Sequence, residues 1–222
     1  MKKIAILQSN YIPWKGYFDI IRQADVFVIY DEVQYTKNDW RNRNLIKTPK
    51  GLEWLTIPVK HNNLNQKINE TFISQNNWNK KHWNSIVCNY SKAPYFKTYG
   101  DEIKNLYENI NTNNLSEINI QFIKTINRIL GIETNIIDSK NLFLTGDKND
   151  RLIDAIKKLD GTHYISGPAA KIYLDLDKFV ANNIEVEWMN YKNYSEYEQL
   201  YPPFNHSVSI IDLIFNGGNR LI

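Results

Sequence analysis

The segment KIAILQSNYIPWKGYFDIIRQADVFVIYD (residues 3–31) decides the fold. It begins with the short apolar run Lys3–Leu7 and ends with the continuous apolar run Val26–Tyr30, which is typical of a buried parallel strand. Between the two runs, the apolar residues of Trp14–Ala24 recur at the spacing of one helix face. A strand, a helix and a second strand in this order predict a βαβ unit, in which the two strands are parallel.

The rest of the chain continues this alternation on either side of a helical middle. Helices are predicted at Trp78–Tyr90, Tyr99–Asn109 and Ser116–Leu130, with Ser116 as an N-cap. We therefore predict a single α/β domain over residues 1–222, a Rossmann-like parallel sheet with a helical insert at about residues 76–131. Further strands are predicted at Glu53–Val59, Phe72–Ser74, Thr134–Asp138, His163–Ser166 and Ile184–Tyr191, and further helices at Asp150–Leu159, Leu176–Asn182 and Ser209–Phe215.

Composition places the chain among ordinary globular proteins, with 42% hydrophobic and 23% charged residues. The formal net charge of +3 is too small for general DNA binding but suits an anionic small molecule. No apolar run is long enough to cross a bilayer, and the N-terminal run is too short for a secretion signal. Cys88 is the only cysteine, so a disulfide within the chain is excluded, and we expect this residue in a helix core. These features predict a cytoplasmic protein.

The first candidate site follows the first strand. Ligands of open parallel sheets bind beyond the carboxyl ends of the strands, where helix N-termini offer free N–H groups. Lys15 and Gly16 lie in the first turn of the predicted helix, where a phosphate would gain a cation and a close backbone approach. In the alternative interpretation, Gln8 and Asn10 only cap this helix. The candidate substrate-binding residues of the segment are Gln8, Asn10, Tyr11, Trp14, Lys15, Gly16 and Tyr17.

The second candidate site follows the second strand. Asp31 and Gln34 come directly after this strand, and a carboxylate there could hold ribose hydroxyls or act as a base. The stretch Asp31–Gly51 is polar and basic, which predicts a long excursion without regular structure. Its cations surround an aromatic residue, a pattern that favours a ligand or lid role over a solvated loop. The residues concerned are Lys37, Trp40, Arg41, Arg43 and Lys47.

The third candidate site is the predicted strand His163–Ser166 with the residues that follow it. Ser166 and Gly167 would place a hydroxyl and backbone amides at the binding edge, and Lys171 lies one turn further along. His163 is a second candidate base, although a structural role is the alternative. Ser209 and Asp212 are predicted to form a capping arrangement that needs no catalysis. No metal site is predicted, because the histidines have no paired spacing.

The N-terminal segment is similar to the nucleotidyltransferase and pantothenate-synthetase type of α/β domain. In that group an H-x-G-H motif opens the first helix, and the matching residues here are Trp14-Lys15-Gly16-Tyr17. Gly16 is kept, whereas Trp14 and Tyr17 stand where the histidines would be. The resemblance implies an ATP-dependent adenylating or nucleotidyl-transferring enzyme with altered catalytic residues.

The whole chain resembles the WbqC-like protein family of bacterial polysaccharide gene clusters. The resemblance implies a role in O-antigen or capsule assembly, for which a glycine transferase activity has been suggested. It supplies no catalytic residue. The blocks that carry it are Gln8–Phe18, Asp31–Tyr35, Trp40–Arg43, Tyr164–Ala170 with Tyr173-Leu174, and Ser209–Asn216.

Residues and resemblance together predict a transferase that acylates or aminoacylates the amino group of a nucleotide-linked deoxyamino sugar. Asp31 or His163 would accept the proton of the sugar ammonium. The acyl donor stays open between an aminoacyl-tRNA, an acyl adenylate made in place with ATP, and a thioester. A non-catalytic module that binds a sugar nucleotide is a further alternative.

Overall fold

The computed structural model describes residues 1–220, in which strands and helices alternate along most of the chain. The strands are β1 (Lys3–Leu7), β2 (Val26–Ile29), β3 (Arg43–Thr48), β4 (Gly51–Thr56), β5 (Asn135–Asp138), β6 (His163–Ser166) and β7 (Glu185–Trp188). The α-helices are α1 (Lys15–Gln23), α2 (Trp78–Tyr90), α3 (Phe96–Glu108), α4 (Leu115–Leu130), α5 (Lys148–Lys158), α6 (Leu176–Ala181) and α7 (Ile210–Gly217). Short 3₁₀ helices lie at Ile68–Glu70, Ser139–Asn141 and Pro168–Ile172.

Contacts within the chain group these elements into two compact units. The first unit consists of Met1–Gln8, Gly16–Glu32 and Ile132–Tyr194. The second consists of Ser9–Lys15, Val33–Gly131 and the described residues from Ser195 onward. The expectation of one domain over residues 1–222 stays a prediction. Within residues 1–220, no helix combines the length and the apolar character that crossing a bilayer requires.

The first unit is built on a five-stranded parallel sheet in the order β5-β2-β1-β6-β7. The predicted βαβ unit is confirmed, since β1 pairs with β2 in parallel from Ile4–Val26 to Leu7–Ile29. The strand order reverses between β1 and β6, which makes this point the topological switch of a Rossmann-like sheet. The predicted fold class is therefore confirmed.

The core of the first unit explains why the apolar runs form strands. Their side chains pack against α5 and α6, and the sheet interior excludes water. Gly161, just before β6, has no room for a side chain, because a Cβ there would lie 2.4 Å from Cγ1 of Ile4. The core residues are Ile4, Ile6, Val26, Val28, Leu152, Ile153, Ala155, Ile156, Tyr164, Phe179 and Ile184.

The second unit contains the antiparallel hairpin β3–β4, the helices α2 to α4 of the predicted insert, and α7. The insert is confirmed, and Gly131 ends α4 in the left-handed conformation with φ 67°. Its N-cap was predicted wrongly, because the Asn114 side chain, not Ser116, accepts the N–H of Glu117. Cys88 was also assigned wrongly, since it is exposed on α2.

The hairpin contradicts the predicted excursion over Asp31–Gly51, because β3 occupies Arg43–Thr48. The buried polar side chains of β3 form hydrogen bonds with partners inside the protein, so a polar sequence can still form a buried strand. Asn44 donates to the carbonyls of Tyr11 and Ile12 at 3.1 and 3.0 Å. The predicted short strand Phe72–Ser74 is reduced to isolated bridges in the described residues.

Candidate functional site

The carboxyl edge of the first unit's sheet carries several of the predicted residues. Gln8 follows β1, Asp31 lies two residues beyond the end of β2, and Ser166 ends β6. Asp31 is buried, with an exposed fraction of 2%, and Ser166 is buried beside Tyr164, with which it hydrogen bonds. The Tyr17 hydroxyl donates to the Gln8 carbonyl at 2.9 Å. Strand ends of parallel sheets are the usual place for ligands, so this edge is a candidate site.

His163 lies at the opposite, amino edge of the same sheet. It pairs in register with Lys3 and Glu185, the first residues of β1 and β7. Its Nε2 lies 3.1 Å from the Glu185 carboxylate, and its Nδ1 lies 2.9 Å from the Thr162 hydroxyl. The imidazole is thus separated from the carboxyl edge by the length of β6.

Lys171 belongs to a 3₁₀ helix of five residues, Pro168–Ile172, rather than to an α-helix, and Gly167 is the N-cap residue before it. A Cβ at Gly167 would meet only the Tyr191 hydroxyl, at an ordinary 3.5 Å, so packing does not require a glycine there. The Lys171 ammonium lies 5.2 Å from the ring centroid of Trp188, which is a cation–π contact.

The second unit contains a cavity of about 190 Å³ that brings three predicted residues together, and we name it the tryptophan cavity. Asn10, Trp14 and Trp40 line it as predicted candidates, although they lie up to thirty positions apart. Its lining residues are Asn10, Pro13, Trp14, Trp40, Asn44 and Ser207. Asn44 and Ser207 were not among the predicted substrate-binding residues, because only the fold reveals that they face the same space.

A strained turn carries Pro13 and Trp14 to this cavity. Ile12 has φ 37°, a value that a β-branched residue adopts only under strain, which costs ~1–3 kcal/mol. The Asn44 amide holds this turn through the carbonyls of Tyr11 and Ile12. Backbone strain of this kind clusters at ligand sites, where the surroundings fix the conformation.

Cations and aromatic rings lie beside the tryptophan cavity. The Trp40 ring is 42% exposed and packs against Trp54 at 5.4 Å, and the Arg43 guanidinium lies 4.1 Å from the Trp54 ring centroid. Arg41 donates to the side-chain oxygen of Asn10, and its guanidinium lies 3.8 Å from the Asp39 carboxylate. Arg43 and Lys47 belong to strand β3, so they are held on a rigid element.

Lys15 is buried in a cage of aromatic rings within the second unit. Its ammonium donates to the Ser195 carbonyl at 3.2 Å and lies 5.4 and 5.7 Å from the ring centroids of Tyr197 and Phe204. Burial lowers the pKa of Lys15, against the charge of Glu196. The cation therefore holds the segment after Ser195 in place.

The remaining candidates do not line the tryptophan cavity. The Tyr11 hydroxyl is buried and bonds to His82 and Tyr107 at 2.8 and 2.6 Å. Gly16 is buried in α1, Gln34 donates to the Leu64 carbonyl, and Lys37 is exposed. Their roles in substrate binding stay predictions.

Asp212 is a buried carboxylate that sequence reasoning missed. Ser209 caps α7 as predicted, with its hydroxyl accepting the Ile211 N–H at 3.3 Å. The predicted partner of that cap, Asp212, instead accepts hydrogen bonds from Tyr90 at 2.9 Å and from Tyr197 and Gln199 at 2.7 Å. Hydroxyl donors from residues far away in sequence leave no signal around position 212.

Comparison with known proteins agrees with the resemblance. The model of the WbqC-like protein family matches residues 8–222. The uncharacterised protein Rv1507c of Mycobacterium tuberculosis (strain ATCC 25618 / H37Rv) is 45% identical over 219 residues, which cover 98% of this chain and 95% of that relative. No solved structure was found to match the chain. The chain belongs to the WbqC-like protein family.

Proposed function

We propose that the protein is a transferase of bacterial surface-polysaccharide synthesis that acylates or aminoacylates the amino group of a nucleotide-linked deoxyamino sugar. Family membership supports the polysaccharide context through the resemblance described above. Glycyl transfer is the form of this reaction suggested for the family. The observation that carries the proposal is the tryptophan cavity of the second unit.

The tryptophan cavity has the size and the chemistry to hold a sugar ring. Its volume of about 190 Å³ is below the ~300 Å³ at which sites for drug-sized ligands begin, so it suits one ring rather than a whole nucleotide sugar. Trp14 and Trp40 offer apolar ring surfaces, and Asn10 and Ser207 offer polar groups for the hydroxyl groups of a sugar. An amide side chain can also accept a hydrogen bond from the sugar amino group.

The sheet of the first unit gives separate support for a nucleotide-linked substrate. Its strand order places a switch point between β1 and β6, and nucleotides bind at such points in Rossmann-like folds. Both strands of this switch point belong to the first unit.

Transfer of an acyl group to an amine requires a group that removes the ammonium proton. Asp31 and His163 were predicted for this role, and we retain Asp31. It lies at the carboxyl edge of the sheet, whereas His163 lies at the amino edge and contacts Glu185.

A thermal-shift screen tests the proposal. We expect a nucleotide-linked amino sugar to raise the melting temperature more than the same nucleotide linked to a sugar without the amino group. A ligand at a hundredfold its Kd stabilises the folded state by about 2.7 kcal/mol, which such a screen detects. Stabilisation by ATP alone, with no response to any sugar nucleotide, would instead support the adenylating alternative.

The adenylating alternative has less support, because two residues differ from the pattern of that group. Trp14 lines the tryptophan cavity, and the Tyr17 hydroxyl donates a hydrogen bond to the Gln8 carbonyl. Neither side chain carries the positive charge that a histidine can place on a phosphate. We therefore retain it only as an outcome of the screen.

Arg41→Ala and Arg43→Ala are each expected to weaken binding of a nucleotide-diphosphate ligand by ~1.5–3 kcal/mol, the contribution of a charge-assisted hydrogen bond. Calorimetry on both variants measures this loss. Lys50→Ala is the matched control, since Lys50 is an exposed cation at the turn between β3 and β4. Unchanged affinity in both arginine variants would assign the cations to a purely structural role, such as the contact of Arg43 with Trp54.

A further inference from the structure

We propose that the helical insert holds a second binding site, which takes a zwitterionic α-amino acid with a large apolar side chain. The site is a cavity of about 410 Å³, within the ~300–1,000 Å³ typical of small-molecule sites. None of its lining residues lines the tryptophan cavity, so this inference does not rest on the proposed function. The lining residues are Asn79, Lys80, Trp83, Asn84, Tyr107 and Glu108. We name it the insert cavity.

Two helices of the insert build this cavity. On α2, Asn79 and Trp83 lie four residues apart, as do Lys80 and Asn84, so both pairs share one face of the helix. Tyr107 and Glu108 end α3. The Asn79 amide donates to the Tyr107 carbonyl at 2.9 Å, which ties the two helices together beside the cavity.

Aromatic rings form the apolar part of the insert cavity. The Trp83 ring stacks on Phe96, with centroids 6.0 Å apart and planes 15° apart. The Tyr107 ring, which is buried, lies 6.2 Å from Trp83 on a tilted plane. Such a cluster keeps its shape without a ligand and offers a surface against which an apolar side chain can pack.

The charges of the lining favour a zwitterion. The cavity has one cation, Lys80, and one anion, Glu108, and both side chains are exposed. Glu108 lies 3.9 Å from Lys104, an exposed and therefore weak ion pair that leaves the carboxylate available to a ligand. A purely anionic ligand would be repelled by Glu108 and a purely cationic one by Lys80. A molecule with both charges complements both residues.

Calorimetric titration with four probes tests the charge requirement. We expect phenylalanine to bind, and phenylalaninamide and N-acetylphenylalanine to bind on the order of twofold to fivefold more weakly, since each lacks one of the two charges. Glycine should also bind more weakly, because it lacks the apolar side chain. Equal affinities for the first three probes, or no saturable binding of phenylalanine up to its solubility limit, would overturn the proposal.

Variants locate the site. Lys80→Met and Glu108→Gln are each expected to weaken phenylalanine binding on the order of twofold to fivefold, as for exposed charge contacts. Lys81→Met and Glu133→Gln are the matched controls, because both residues are exposed and neither lines the cavity. Trp40→Ala should leave this affinity unchanged. If Trp40→Ala abolishes phenylalanine binding, or if the controls weaken it equally, the assignment to the insert cavity is wrong.

Discussion

Asp212→Ala is expected to lower the free energy of unfolding by about 3–5 kcal/mol at neutral pH, the cost of breaking a buried charged group from its partners. Asp212 is fully buried, and its carboxylate accepts hydrogen bonds from Tyr90, Tyr197 and Gln199. Alanine would leave these three donors without their acceptor, and each unsatisfied buried donor costs ~1–3 kcal/mol. Relaxation of the surrounding side chains keeps the total below the sum.

Lys47 adds to this loss. Its ammonium is buried and donates to the Gln199 side chain at 2.8 Å and to the Pro203 carbonyl. Burial lowers the pKa of Lys47, and the negative charge of Asp212 opposes that shift. Without the carboxylate, a buried cation would remain with only neutral partners.

Chemical denaturation of the variant and the wild type measures the difference. Asp101→Ala is the matched control, since Asp101 is an exposed carboxylate on α3, and its loss should change the unfolding free energy by less than about 0.5 kcal/mol. Tyr197→Phe removes one of the three donors and should cost about 1 kcal/mol. A loss below about 1 kcal/mol for Asp212→Ala would show that the carboxylate is not part of a cooperative network.

The same carboxylate predicts a pH dependence of stability. Burial raises the pKa of Asp212 above its ordinary value of 3.8, against the hydrogen bonds from Tyr197, Tyr90 and Gln199 and the charge of Lys47. The folded state therefore holds this proton more tightly than the unfolded state does. The contribution of this protonated carboxyl to the free energy of unfolding is complete below about pH 3.8 and is lost as the pH rises through the folded-state pKa.

Asp212→Asn tests the sign of this effect, because asparagine has nearly the same shape and no titration. We expect the unfolding free energy of the variant, relative to the wild type, to increase between pH 4 and pH 7. A relative increase as the pH falls would mean that the carboxylate has a lowered pKa in the folded protein.

The sheet of the first unit was predictable because its strands are continuous apolar runs. Val26–Ile29 is buried at all four positions, so hydrophobicity alone distinguishes it from a loop. β3 was missed for the opposite reason. Asn44 and Lys47 are polar in sequence but buried, since their partners are carbonyls and side chains that only the fold brings near.

The candidate site was predictable only in part, because only the fold brings residues that are distant in sequence together. Asn10, Trp14 and Trp40 attract attention as polar or aromatic residues near a strand end, and they do line one cavity. Ser207 lies far along the chain from these residues, and no local pattern connects it with them. His163 shows the opposite outcome. A histidine is a plausible base, but this one lies at the amino ends of the strands, whereas ligands bind at the carboxyl ends.

Asp31→Asn is expected to lower the rate of acyl transfer by about 10²–10⁴-fold, the usual contribution of a general base. Asparagine keeps the size of the buried side chain but cannot accept the proton of the sugar ammonium. Mass spectrometry of the acylated sugar nucleotide in single-turnover reactions measures the rate, with a donor chosen from the activated acyl and aminoacyl compounds described above. The variant should still bind the sugar nucleotide, because binding does not need the proton transfer.

Two control variants test whether the effect is specific to Asp31. Glu32→Gln changes the neighbouring carboxylate, which bonds to Ser139 at 3.0 Å and lies 3.5 Å from Arg151, so its loss should affect stability more than rate. His163→Gln changes the other predicted base, at the amino edge, and should leave the rate within a few fold of the wild type. If Asp31→Asn retains the full rate while His163→Gln abolishes it, the reacting groups do not meet at the carboxyl edge. The base would then lie at the amino edge of the first unit's sheet, at His163.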